Sequence, residues 1–232
     1  MDANQYKLLQ EVLFRLDRSK VLEDLVLVGG WCVYFYREYY FKKSFISPFR
    51  TPDLDFLVPH PDRLHVQADI PGLLEDLGFV RDFRGEQGYL QLSHPDLRIE
   101  FLVHEKGRGT AGPVALKAWK MNAQPLRFMD VLLSRMVELK VENVKIRVPH
   151  PACFSFQKLI ISSRRTGRSA HKAENDRKSA IEVLKELLRQ KDEGRIIKDV
   201  FAKLGLKQQR QILKMLSDEG VGDVCSFLEN GF

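Results

Sequence analysis

Two aspartates one residue apart, Asp53 and Asp55, lie in an apolar run (DLDFLV), and a Gly29-Gly30 pair closes an earlier one (LVLV). Side chains alternate along a strand, so Asp53 and Asp55 face one way and Leu54 and Phe56 the other. Neighbouring carboxylates repel unless a cation lies between them. Hard divalent ions such as Mg2+ take oxygen ligands of this kind, often together with substrate phosphates. Gly-Gly at a strand end lets backbone N–H groups come close to a phosphate, and the start of a following helix adds a positive dipole end. A phosphate cradle beside a metal-holding carboxylate pair is the chemistry of a nucleotide site.

In this order, Gly29-Gly30 followed by Asp53-Leu54-Asp55 resembles the signature of the DNA polymerase β-like nucleotidyltransferase superfamily. There a strand ending in Gly-Gly or Gly-Ser enters a helix, and the next strand bears Asp-x-Asp or Asp-x-Glu. Arg50, Thr51, Asp53, Asp55 and Phe56 together are similar to a bacterial branch of abortive-infection-type and uncharacterised nucleotidyltransferases. The resemblance covers the first half of the chain closely and the C-terminal part loosely. The gap from Gly30 to Asp53 is longer than in most members. The resemblance implies a nucleoside triphosphate substrate, Mg2+ or Mn2+ on Asp53 and Asp55, and Gly29, Gly30, Arg50 and Thr51 at the nucleotide.

A third acid completes the metal site on a neighbouring strand in that superfamily, and Glu100 is the candidate. It is a lone acid in an apolar strand (LRIEFLV), where an unpaired carboxylate is costly to bury and needs a metal, an arginine or water nearby. The alternative partner is Arg98 or Arg81 on an edge strand. The resemblance also implies that Lys158 and Arg164 meet phosphate oxygens and that Asp176 binds a base or orients Lys158. The competing reading of that stretch is a basic helix with ordinary ion pairs, or a grip on a nucleic-acid backbone. The implied reaction moves a nucleoside monophosphate to an acceptor hydroxyl on RNA, a protein or a small molecule and releases pyrophosphate. A catalytically inert nucleotide-binding or interaction protein is the alternative, as is a toxin with an antitoxin partner.

Composition sets bounds on these readings. The chain has 232 residues, enough for one or two domains, and a formal net charge of +6, compatible with nucleotide or RNA partners. The three cysteines, Cys32, Cys153 and Cys225, lack metal-ligand spacing and suit a reducing compartment. The N-terminus lacks the form of a signal peptide, and no apolar run nears the about 20 residues of a membrane span. A cytoplasmic protein without membrane contact is expected. The six histidines are scattered, which argues against a zinc site built from them.

The elements that must position these residues follow from periodicity. Residues 4–18 predict an amphipathic helix, 25–28 a buried strand, and 31–41 an aromatic helix whose tyrosines either pack on a sheet or stack on a base. The Asp strand follows Pro52. A short helix over 69–77, a strand pair over 79–92 and a strand over 97–103 come next. Residues 104–113 predict a Gly-rich loop and 130–149 a hairpin. Helices alone follow residue 150. The expected fold is therefore α/β (α+β), with an all-helical domain over 151–232, and the resemblance implies that residues 1–150 form a palm-like nucleotidyltransferase domain with a mixed sheet. The active site is expected in the cleft between them.

Overall fold

The alternation that separates Asp53 and Asp55 from Leu54 and Phe56 is realised in a strand inside a seven-stranded mixed sheet. This computed structural model describes residues 3–42, 44, 46–47, 51–105, 112–165, 167 and 170–229. Arg50 and most of the expected Gly-rich loop fall outside the described residues. In chain order the elements are α1 (Ala3–Arg18), β1 (Val26–Val28), α2 (Trp31–Phe35), β2 (Asp53–Leu57), α3 (Ile70–Leu74), β3 (Val80–Arg84), β4 (Tyr89–Ser93) and β5 (Arg98–His104). Then come β6 (Val114–Leu116), β7 (Met121–Leu126), α4 (Met129–Leu133), β8 (Met136–Val141) and β9 (Val144–Pro149). Helices α5 (Pro151–Ser162), α6 (Ala170–Leu188), α7 (Glu193–Ala202), α8 (Leu206–Asp218) and α9 (Gly222–Glu229) complete the chain.

The chain forms two compact units, both discontinuous in sequence. The first comprises Met1–Phe35, Pro48–Asp130 and Val137–Val148, and the second Tyr36–Ser47, Val131–Met136 and Pro149–Phe232.

In the first unit the strand order is β1-β2-β5-β4-β3. β2 and β5 run parallel, and β1, β4 and β3 are each antiparallel to their neighbours. β4 pairs with β5 only at Ile99 and Arg98; from Leu102 onward β7 takes its place, parallel to β5, and carries β6 on its far side. One face of the sheet is apolar and buried: Leu54, Phe56, Leu92, Ile99, Phe101 and Val103 are each at most 2% exposed. Helix α1 buries Leu9, Val12, Leu13 and Leu16, the stripe its periodicity predicts. Its Gln5 Nε2 donates to the carbonyls of Thr51 (3.1 Å) and Asp96 (3.0 Å), which fixes the entries to β2 and β5. Asp69 caps α3 by accepting from the Gly72 amide at 3.0 Å.

In the second unit α5 is buried on nearly all sides, and α6, α7 and α8 pack against it. His150 caps α5: its Nδ1 accepts from the Ala152 amide at 3.2 Å, and Pro151 takes the first helical position, where a missing N–H costs nothing. Among the described residues no helix is long and apolar enough to cross a membrane.

Three expectations need correction. The aromatic helix is α-helical only over α2; Tyr36–Tyr40 forms a π-helical turn. The first arm of the hairpin begins at Met136, because Met129–Leu133 is the helix α4, entered from Phe128 at φ 63° and ended by Ser134 Oγ donating to the Val131 carbonyl at 2.8 Å. Strands β6 and β7 were not expected at all. β7 alternates buried Met121, Ala123 and Pro125 with Asn122, Gln124 and Leu126, but its proline and amides do not read as a strand.

Tyr36 of the π turn is core, and Tyr39 and Tyr40 are half-buried. Tyr36 is fully buried and donates to the Pro149 carbonyl at 2.7 Å, so it does not stack on a base. Tyr40 donates to Glu193 and lies 3.1 Å from His150 Nε2; that ring nitrogen is also 3.1 Å from the other Glu193 oxygen. Burial pushes the Tyr40 phenol up, and the Glu193 carboxylate adds to the rise. Burial also pushes Glu193 up, but His150 and Tyr40 outweigh it and hold the carboxyl below its usual range.

The two shifts give opposite pH dependences. Glu193 adds stability at neutral pH that fades as pH falls through the acid range. Tyr40 adds stability that is complete below its ordinary pKa of 10.0 and fades as pH rises past it, because the unfolded chain ionises first. Melting curves from about pH 8 to about pH 11 are expected to show an alkaline decline in the native protein that flattens in Tyr40→Phe. An equal decline in both proteins would remove Tyr40 as its source.

Candidate functional site

Sheet register alone brings the acids together. Asp55 lies opposite Val28 on one side and Glu100 on the other; Asp53 lies opposite Arg98, which in turn lies opposite Ser93. Cross-strand partners share a face, and neighbouring strands are about 4.8 Å apart. Asp53, Asp55, Arg98 and Glu100 therefore form a block on the face opposite the buried Leu54, Phe56, Ile99 and Phe101. Gln91 and Asp82, paired across β4 and β3, extend the polar face beyond Glu100. β5 is interior to the sheet, so Glu100 is not on an edge strand.

Gly29 sits at the corner where β1 ends. Its φ is 75°, and a Cβ built there would lie 2.0 Å from Asp55 Oδ2. No side chain fits between the backbone and that carboxylate. The Gly29 and Gly30 carbonyls accept from the Cys32 and Val33 amides at 3.3 and 3.1 Å and so start α2. Thr51 Oγ1 accepts from the Asp53 amide at 3.1 Å, which holds the start of β2.

The partners of the acids are specific. Arg98 donates from Nε and Nη2 to Asp53 Oδ1, both at 2.7 Å. Gln91, itself buried, donates from Nε2 to Glu100 and accepts from Ser93 Oγ at 3.1 Å. The alternatives weighed for Glu100 were Arg98 and Arg81, and Gln91 was not among them. Arg98 stands two residues before Glu100 in the same alternating strand, a visible signal. Gln91 had none, because the β4–β5 pairing is not local in sequence.

Half-exposed carboxylates on adjacent strands, against a corner that excludes any Cβ, offer the hard oxygen donors that Mg2+ or Mn2+ takes. In donor chemistry and backbone placement the residues fit such an ion. Asp53 is turned to Arg98 and Glu100 to Gln91, and among the described residues no three acidic, histidine or cysteine side chains are already grouped around one point.

A pocket of about 200 Å³ opens at the fork where β4 leaves β5 and β7 joins it. Glu100, Gln91, Tyr89, Arg84, Asn122 and Gln124 line it. Asn122 ties the fork together, accepting from the Leu90 amide at 2.8 Å and donating to the Gly88 carbonyl at 3.0 Å.

In the second unit Lys158 and Asp176 meet, with Nζ 2.8 Å from Oδ1. The arginine beside them is Arg165, 3.0 Å from Asp176 Oδ2, whereas Arg164 follows the end of α5 with its amide donating to the Ile161 carbonyl at 3.0 Å. Asp176 is 8% exposed, so this is a nearly buried carboxylate with two cations.

A family model described as nucleotidyltransferase matches residues 7–204. Among solved structures, the chain is similar to an antigenic nucleotidyltransferase-like protein from Paracoccidioides brasiliensis, at 15% identity over 99% of this chain and 94% of that one, with a TM-score of 0.48. It is also similar to ANT(2″)-Ia in complex with adenylyl-2″-tobramycin, at 10% identity over 98% of both chains, TM-score 0.42. A solution structure of the antibiotic-resistance factor ANT(2″)-Ia gives 12% identity over 87% and 93%, TM-score 0.43. No curated protein matches the chain.

Proposed function

The chain belongs to the nucleotidyltransferase family, and from that premise we propose that it transfers a nucleoside monophosphate from a nucleoside triphosphate to an acceptor hydroxyl, with pyrophosphate as the leaving group. The observation that carries this reading is the register that sets Asp53 and Asp55 beside Glu100, with Gly29 against the Asp55 carboxylate.

Asp53 and Asp55 would hold the divalent ion, with Glu100 as the third acid. Such an ion, when bound, neutralises charge on the triphosphate and acidifies an acceptor hydroxyl. The chain's own residues supply the rest. Asp55 or Glu100 accepts the proton of the acceptor hydroxyl, whose oxygen then attacks the α-phosphorus in line with the departing pyrophosphate. An acceptor would lie against Glu100 in the pocket at the β4–β7 fork, whose amide and phenol groups suit a polar, hydroxyl-bearing partner. The missing Cβ at Gly29 makes way for the Asp55 carboxylate, and the Gly29 and Gly30 backbone N–H groups would meet phosphate oxygens. Lys158, Arg165 and Arg164 are the candidate phosphate cations of the second unit, with Asp176 holding Lys158 in place.

The test is incubation with each α-labelled nucleoside triphosphate, Mg2+ or Mn2+, and total RNA or lysate. Label transfer with equivalent pyrophosphate release is the expected result. A second reading, a nucleotide-binding protein without transfer, is favoured by one observation: Arg98 and Gln91 already occupy Asp53 and Glu100. Nucleotide binding by calorimetry with no pyrophosphate release on any acceptor would establish it and reject the first.

A further inference from the structure

The polar block contains a cation of its own. We propose that Arg98 is a stand-in for the divalent ion: it holds Asp53 while no metal is bound, gives up that carboxylate to the metal, and then turns its guanidinium to the nucleotide's phosphates. This rests on the nucleotidyltransferase reading, since it assigns the ion to Asp53.

The backbone sets the two residues side by side. Arg98 is the register partner of Asp53 across a parallel strand pair, and its amide donates to the Pro52 carbonyl at 2.7 Å, so its Cα cannot drift from the start of β2. Both guanidinium contacts converge on one oxygen, Asp53 Oδ1. A divalent ion needs such an oxygen lone pair, and a dication repels a guanidinium on the same atom. Metal and Arg98 thus compete for Asp53.

The competition is reversible because the pair is wet. The side chains are 39% and 36% exposed, so the ion pair is weak, and the guanidinium moves into water rather than into a void. It then stands beside Asp55 and Glu100 on the face where the triphosphate would lie, free to fork onto phosphate oxygens. Until then it offsets the repulsion among the neighbouring carboxylates.

Removing the charge gives two effects of opposite sign. Arg98→Met keeps an apolar stem and loses the cation. In the nucleotide-free protein, Mn2+ followed by electron paramagnetic resonance is expected to bind about tenfold tighter to Arg98→Met than to the native chain. With Mn2+ saturating, an α,β-methylene ATP analogue measured by calorimetry is expected to bind about tenfold weaker. A merely structural role would move both affinities down together. Asp53→Asn, which is expected to weaken Mn2+ binding in the absence of nucleotide, locates the ion.

Native and variant chains that bind Mn2+ equally, or a variant that binds it more weakly, overturn the inference and leave the function reading intact. So does analogue affinity that the substitution does not move. A native chain and an Arg98→Met variant that both fail to bind Mn2+ overturn the inference together with the metal-dependent reading.

Discussion

Asp55→Asn is expected to lower nucleotidyl transfer by about 10³-fold or more and to leave the fold intact. Asp55 sits between Gly29 and Glu100, the position at which the corner and the third acid converge. A metal contributes several kcal/mol of charge stabilisation in the transition state, and each 1.36 kcal/mol is tenfold in rate, so losing a ligand costs about 10³-fold. The side chain faces the polar side of the sheet, opposite the buried Leu54 and Phe56, so the near-isosteric change leaves the apolar core packing in place. The variant should still melt in one cooperative transition.

The neighbouring residue makes the contrast. Leu54 is fully buried on the other face. Leu54→Ala is expected to cost about 2–5 kcal/mol of stability and to leave the rate per folded molecule near that of the native protein. Steady-state transfer of label, paired with thermal melts, separates the two. Transfer retained by Asp55→Asn would reject the mechanism.

Local chemistry was legible in the sequence, and long-range pairing was not. Alternation alone put Asp53 and Asp55 on one face, and Gly-Gly at the end of an apolar run marked the corner that now abuts Asp55. The lone acid in LRIEFLV pointed to Glu100 because apolar neighbours on both sides made it costly without a purpose. Its partner could not be read: Gln91 reaches Glu100 only through the β3–β4 hairpin folding back on β5. Arg98 was considered for Glu100, and the parallel register sets it opposite Asp53. β7 escaped notice since Pro125 and two amides hide a strand whose alternate side chains are buried. The helices after Pro149 were plain, because apolar stripes at helical spacing are local. That Arg165 meets Asp176 depends on how α5 ends and α6 begins, which no local pattern shows.

Gly29→Ala is the second substitution expected to have a large effect, and it tests the corner itself. The new Cβ would sit 2.0 Å from Asp55 Oδ2 and 2.9 Å from its Cγ, so either the backbone or the carboxylate must move by more than an ångström. Misplacing a catalytic group by about 1 Å costs about 10²-fold in rate. The positive φ adds strain of about 1–2 kcal/mol for any residue with a Cβ. Gly78→Ala separates strain from displacement. Gly78 also has positive φ, 88°, but the nearest atom to a Cβ there belongs to the His94 ring at 3.3 Å, away from the acids. Both variants should lose comparable stability in denaturant titrations, while the rate per folded molecule should fall only in Gly29→Ala. Full activity in Gly29→Ala would mean that Asp55 can be displaced without consequence, and the corner would then have no part in the chemistry.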